Sequence, residues 1–140
     1  MSPLHTKNTD IFVFKLNEDD DLFLSIKDIA LKNKIVSGMF YLIGAVKKAK
    51  FAFYEEGAYK YIEMNEPMEI LSCIGNISKK EEDLIIHAHV SFGNSEGKAF
   101  GGHLVEGTII DPLGELFIFE LKDELKRKFD PKTNLSVLDL

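Results

Sequence analysis

The chain has 140 residues, 45% of them hydrophobic, with a formal net charge of −6 and a sequence pI near 5.2. That length fits one domain, residues 1–140, which buries roughly two-thirds of the surface its unfolded form exposes and folds without disulfide staples; the one cysteine, Cys73, has no partner for a disulfide. The acidic balance opposes a general attraction to phosphate backbones, no apolar run reaches the length of a bilayer span, and residues 1–10 lack a secretion-signal pattern, so the expected setting is reducing and cytoplasmic.

In chain order, residues 11–16 (IFVFKL) read as a short strand ended by an acidic turn at 17–21. Leu22, Ile26 and Ile29 then recur at helical spacing, with Asp20 or Asp21 as N-cap and Lys32 and Lys34 near the C-terminal dipole. Strand patterns follow at 37–46, 49–54 and 59–64, the last two joined by a turn at Glu55, Glu56 and Gly57. Further strands are expected at 68–74, 84–92, 98–104 and 116–121. Residues 122–129 are a candidate short C-terminal amphipathic helix, and 133–140 a loose tail or an oligomer contact. The fold class is α+β: an antiparallel sheet of about seven strands packed against a helix between the first and second strands.

Three of the four histidines fall within residues 87–103. Side chains alternate across a strand, so His87 and His89 share one face, while Ile86, Ala88 and Val90 share the other and point to a core. A five-residue turn at 93–97 sets Phe92 opposite Lys98, His87 opposite His103 and His89 opposite Gly101. Directly opposed Cβ atoms lie about 4.5 to 5.5 Å apart, which lets His87, His89 and His103 converge on one cation. A lone histidine pair is commonly explained by ordinary strand packing; a third across the hairpin favours a metal. Three imidazoles suit zinc, copper, iron or nickel, zinc first, and leave a position open for water or substrate. His5 has no such company and reads as solvated.

Glu69, Glu106, Glu115 and Glu120 are the candidate carboxylates near such a site, and the sequence does not choose among them. Ser37, Gly38, Gly44 and Ala45 mark places where a strand bulges or its backbone approaches a ligand. Cys73 lies in the apolar run 70–74, which fits a small buried thiol better than a reactive one.

Gly101, Gly102, His103 and Leu104, with Phe14, Lys15 and Leu16, Val36, Ser37 and Gly38, Gly44, Ala45 and Val46, Glu69, Ile70 and Leu71, and Gly75, Asn76 and Ile77, occur in an order that resembles the plant-and-prokaryote-conserved (PPC) domain. The likeness covers nearly the whole chain. It implies an antiparallel sheet on a helix, a homotrimer, and a metal site near the subunit boundary with His87, His89 and His103 as ligands. Plant members sit beside AT-hooks in nuclear proteins, whereas free-standing prokaryotic members are similar in fold to acetolactate decarboxylase, whose zinc is also held by three histidines. Here Lys15 stands where the family often has arginine, and no Arg-Gly-Arg-Pro AT-hook core is present.

Two functions are therefore carried forward. The first is a free-standing PPC-type protein holding a divalent metal in an open, enzyme-like site for a small-molecule ligand. Its catalytic form would be a metal-dependent lyase- or hydrolase-like reaction on a small oxygen-rich substrate. The second is a DNA-associated or transcription-regulatory module acting as a trimer, against which the net charge argues for direct DNA contact.

Overall fold

The computed structural model describes residues 4–140. Ten elements follow in order: β1 (Asn8–Asn17), α1 (Leu22–Lys32), β2 (Gly38–Glu55), β3 (Ala58–Met64), β4 (Met68–Lys80), β5 (Asp83–Gly93), β6 (Ala99–Leu104), β7 (Ile109–Leu121), β8 (Arg127–Asp130) and β9 (Leu135–Leu138). The first seven strands form one antiparallel sheet in the order β1-β7-β2-β4-β5-β6, with β3 on β2, and β8 and β9 form a separate hairpin. Among the described residues no helix is long and apolar enough to cross a membrane.

Helix α1 starts where Asp21 caps it: the carboxylate accepts from the Leu24 amide at 3.0 Å, and its other oxygen accepts from the Gly107 amide at 2.7 Å. Leu22, Ile26 and Ala30, four residues apart, form its buried face. The helix ends at Asn33, whose side-chain amide donates to the Ile29 carbonyl at 2.8 Å.

The expected strands at 37–46 and 49–54 are one strand, β2. Lys47 and Lys48 look like a break in the sequence, but the chain runs through them with irregular register around Gly44, Val46 and Lys48, and the two ammonium groups pair with Asp19 and Glu63. This length lets β2 serve two neighbourhoods. Its first half lies between β7 and β4, while its far end pairs with β3 and touches β6 through Phe51↔Leu104 and Ala52↔His103. The path β2-β4-β5-β6-β2 is thereby closed, which brings β6 back over the sheet.

Strand register divides the side chains into two faces. One face carries Phe14, Leu116, Leu42, Cys73, Val90 and Gly102 in successive pairings from β1 to β6, and this is the core side that α1 covers. Cys73 is buried there, and burial pushes its thiol up to about 12, which leaves it unreactive as the sequence suggests. The opposite face carries the row Val13, Phe117, Tyr41, Ile74, His89 and His103, and beside it Ile11, Phe119, Met39, Asn76 and His87.

The C-terminal segment departs from expectation. Residues 122–129 form no helix; they enter the β8–β9 hairpin, and residues 133–140 are not a loose tail. The physical cause is an alternation of period two. Leu125 is buried and its amide donates to Ser37 Oγ at 3.0 Å, Arg127 turns inward two residues later, and Lys126 and Lys128 between and after them are exposed. Ser37 Oγ donates in turn to the Asp123 carbonyl at 2.7 Å, so this residue ties the start of β2 to the C-terminal segment instead of approaching a ligand.

Candidate metal centre

β5 supplies His87 and His89, and β6 supplies His103. The three imidazoles converge: their candidate donor atoms all lie within 4.8 Å of one another, and their ring centroids are 5.3 to 5.9 Å apart. His87 and His103 are half-buried and His89 is exposed.

The register that brings them together differs from the expected one by two residues. Gly93 stays in the strand opposite Ala99, Phe92 pairs with Phe100, and His103 faces His89, not His87. Asn94 causes the shift. Its side-chain oxygen accepts from the Glu96 and Lys98 amides at 3.1 and 3.0 Å, and its own amide donates to the Lys98 carbonyl, so the loop closes at 94–98 with Gly97 at φ +76°. A shift of two preserves the face of every side chain, so all three histidines still point the same way.

The glycines beside His103 are steric requirements. A Cβ on Gly101 would meet the Val90 carbonyl oxygen at 2.2 Å, and one on Gly102 the Ala52 carbonyl oxygen at 2.5 Å. β6 is thus held between β5 and the far end of β2.

Two further groups shape the site and are not singled out in the sequence. Tyr59 on β3 stacks on His103 with ring centroids 5.2 Å apart. Arg127 on β8 brings a terminal nitrogen 3.4 Å from His87 Nδ1 and donates from the same nitrogen to Asn76 Oδ1 at 2.9 Å. The signal available for Arg127 is that it is the only arginine among 17 basic residues. Glu69, Glu106 and Glu115 are exposed and lie outside the histidine cluster, and Glu120 accepts instead from Thr9 Oγ1 at 2.7 Å. His5 is exposed and likewise apart.

The site favours the neutral form of His87 and His103. Burial, then the charges of Arg127, His103 and His89, lower His87 to about 4, and burial followed by His89 lowers His103. Neutral imidazole is the form that ligates a metal. Around a tetrahedral zinc the nitrogens would stand roughly 3.3 Å apart, so a small side-chain adjustment from the present spacing suffices. Three imidazole donors and an open fourth side fit a zinc-type ion, which when bound lowers the pKa of a water or polarises a carbonyl.

Depressed histidine values also make stability depend on pH. Below about 6.5 the unfolded chain takes up protons that His87 refuses in the fold until about 4, so the metal-free protein loses stability as pH falls through that window. Thermal melts of chelator-treated protein between pH 7.5 and 4.5 should show a falling Tm, and His87→Gln should make the fall shallower.

An antiparallel sheet with one covering helix and an open three-histidine cluster on its uncovered face defines a small β-rich protein with a metal-competent surface. Residues 5–122 match the Plants and Prokaryotes Conserved (PCC) domain, and the chain belongs to that family. A plant- and prokaryote-conserved (PPC) protein from Pyrococcus horikoshii is 34% identical, with TM-score 0.89 over 100% of this chain and 98% of that one. A metal-containing protein from Archaeoglobus fulgidus is 29% identical, with TM-score 0.89 and both chains fully covered. A candidate DNA-binding protein from Ralstonia eutropha is 27% identical, with TM-score 0.84 over 91% and 90% of the two chains. Among curated proteins, the bifunctional protein GlmU of a Synechococcus strain aligns at 23% identity over 133 residues; the chain spans 20% of that protein's length.

Proposed function

We propose that this chain is a single PPC-type domain that binds one divalent metal, zinc first, through His87, His89 and His103, in an open site for a small-molecule ligand. The observation that carries the reading is the convergence of three half-buried or exposed imidazoles within 4.8 Å, from two strands held at fixed register. The metal-containing relative from Archaeoglobus fulgidus adds support. Elemental analysis of protein purified without chelator tests it. One transition-metal ion per chain is the expected result, and metal-free protein that takes up no added zinc would overturn it.

Three copies assemble, in this reading, through the uncovered sheet face, and the trimer works in the cytoplasm. The support is an apolar row that a monomer would leave in water: Val13 is 61% exposed, Ile74 56%, Ile11 55% and Met39 46%, with Tyr41 stacked on Phe117 at 5.0 Å between them. The row runs into the histidines, so assembly would place the site at a subunit boundary. Ile74→Asp should therefore shift the mass in light scattering from trimer to monomer while the circular dichroism spectrum stays unchanged. An unaltered mass would remove this face from the interface.

The second reading is a DNA-associated or regulatory trimer, and the Ralstonia eutropha relative is what favours it. Direct binding would need a basic surface on a chain of net charge −6. A mobility shift with duplex DNA at low salt would support it.

A further inference from the structure

The β8–β9 hairpin lies beyond the residues matched to the family, yet it forms one wall of the histidine site. Between it and β5 runs a cleft of about 570 Å³, whose lining includes His87, His103 and Arg127 at one end and Ile85, Leu135 and Val137 along its sides. Its polar groups and its apolar walls point to the same kind of occupant.

Arg127 is fixed before any ligand arrives. Its Nε donates to Ser78 Oγ at 2.8 Å, one terminal nitrogen donates to the Ser136 carbonyl at 2.7 Å, and the other donates to Asn76 Oδ1 at 2.9 Å. A guanidinium has five N–H donors, so these bonds use one on each nitrogen. Each terminal nitrogen has a second N–H: the nitrogen that bonds Asn76 also lies 3.4 Å from His87 Nδ1, a long contact, whereas the second N–H of the nitrogen that bonds Ser136 has no further partner among the described residues. All four neighbours are uncharged, and no carboxylate among the described residues forms an ion pair with this half-buried cation.

The histidine centre has the same imbalance. Three neutral imidazoles leave both charges of a divalent ion uncompensated. Arg127 adds a third positive charge in the same cleft, and none of the residues lining it is acidic. Concentrated positive charge with low-dielectric walls selects an anion, and a guanidinium held by its partners offers the fork geometry that a carboxylate matches. Bare inorganic oxyanions would leave Ile85, Leu135 and Val137 without an apolar partner.

We propose that this cleft binds a small aliphatic carboxylate, with its anionic head between Arg127 and the three-histidine centre and its hydrocarbon body against Leu135, Val137 and Ile85. The proposal rests on the metal reading above for two of its three positive charges, while the Arg127 charge stands without metal. β8–β9 is on this account the specificity element of the site.

The test uses full-length protein with butyrate as probe, against butanamide as the uncharged isostere and inorganic phosphate as the competing oxyanion. Zinc binding and probe binding are measured separately by calorimetry, and NMR follows the Arg127 Nε–H signal in zinc-loaded and chelator-treated samples. Butyrate should shift that signal and bind the wild type more tightly than butanamide or phosphate. In chelator-treated protein, Arg127→Gln should weaken butyrate about tenfold or more, and Arg127→Lys, which keeps the charge without the fork, should fall between. Leu135→Ser should reduce the preference for butyrate over acetate and leave zinc binding unchanged, which keeps the idea testable if Arg127→Gln folds poorly. Equal butyrate affinity in wild type and Arg127→Gln, equal binding of butanamide, or a preference for phosphate would each overturn it. Loss of zinc binding with a surviving Arg127 shift would instead sink the metal reading alone.

Discussion

His103→Ala is expected to abolish stoichiometric metal binding while the metal-free fold survives. His103 is the one ligand candidate on β6, and it closes the site that His87 and His89 open on β5. Four-ligand zinc sites in finger peptides carry apparent binding free energies of about 10–16 kcal/mol, or about 3 kcal/mol per ligand, so losing one of three weakens zinc roughly 100-fold or more. The imidazole is half-buried, stacked on an exposed tyrosine, and outside the apolar core, so its removal should move the melting of chelator-treated protein little. The diagnostic quantity is the zinc-induced rise in Tm, present in the wild type and absent from the variant, because a ligand that binds only the native state stabilises by mass action. His5→Ala, outside the cluster, should retain both metal and the Tm rise. A His103→Ala protein that keeps one ion per chain would remove the three-histidine site from consideration.

The parts of this site that are legible in the sequence are those set by local alternation. His87, Ala88, His89 and Val90 declare their faces by period two alone, and the structure keeps Ala88 and Val90 in the core and both histidines outside it. The hairpin register is less local, because it depends on where Asn94 closes the loop, and its displacement by two residues changes the partner of His103 without changing its face. Helix α1 is legible for a similar reason, its cap and its four-residue apolar spacing being carried within a dozen residues.

What escapes the sequence is set by distant pairing. Tyr59 reaches His103 only because the long strand β2 holds β3 on one side and β6 on the other. Arg127 lies in a charged stretch that reads as a helix when taken alone. Its strand conformation comes from Ser37, Asn76, Ser78 and Ser136, residues from three other places in the chain. The apolar face is also hidden at the sequence level, since both faces of β1, β2 and β7 are hydrophobic and alternation cannot tell which one the helix covers.

Gly101→Ala should damage the site as badly as removing a ligand, without touching any imidazole. The added methyl would sit 2.2 Å from the Val90 carbonyl oxygen and 2.9 Å from the Ser91 Cα. Both are backbone atoms of β5, so no side chain can swing aside; the strands themselves must part. β6 has no room to retreat, because a Cβ at the neighbouring Gly102 would already meet the Ala52 carbonyl at 2.5 Å on the β2 side. Overpacking of this kind costs about 3 kcal/mol, which lowers Tm by roughly 10 °C in a domain of this size. The separation falls at the Ser91↔Gly101 pairing, two residues from His89↔His103, so the convergence that zinc requires is lost along with the strand pairing. Gly97→Ala is the control: its Cβ would meet nothing within 4 Å, and its cost is confined to the left-handed backbone at φ +76°. Calorimetric zinc titrations of the two variants should separate them, Gly97→Ala binding like the wild type and Gly101→Ala weakly or not at all. If Gly101→Ala bound zinc normally, the β5–β6 register would not be what holds the three histidines together.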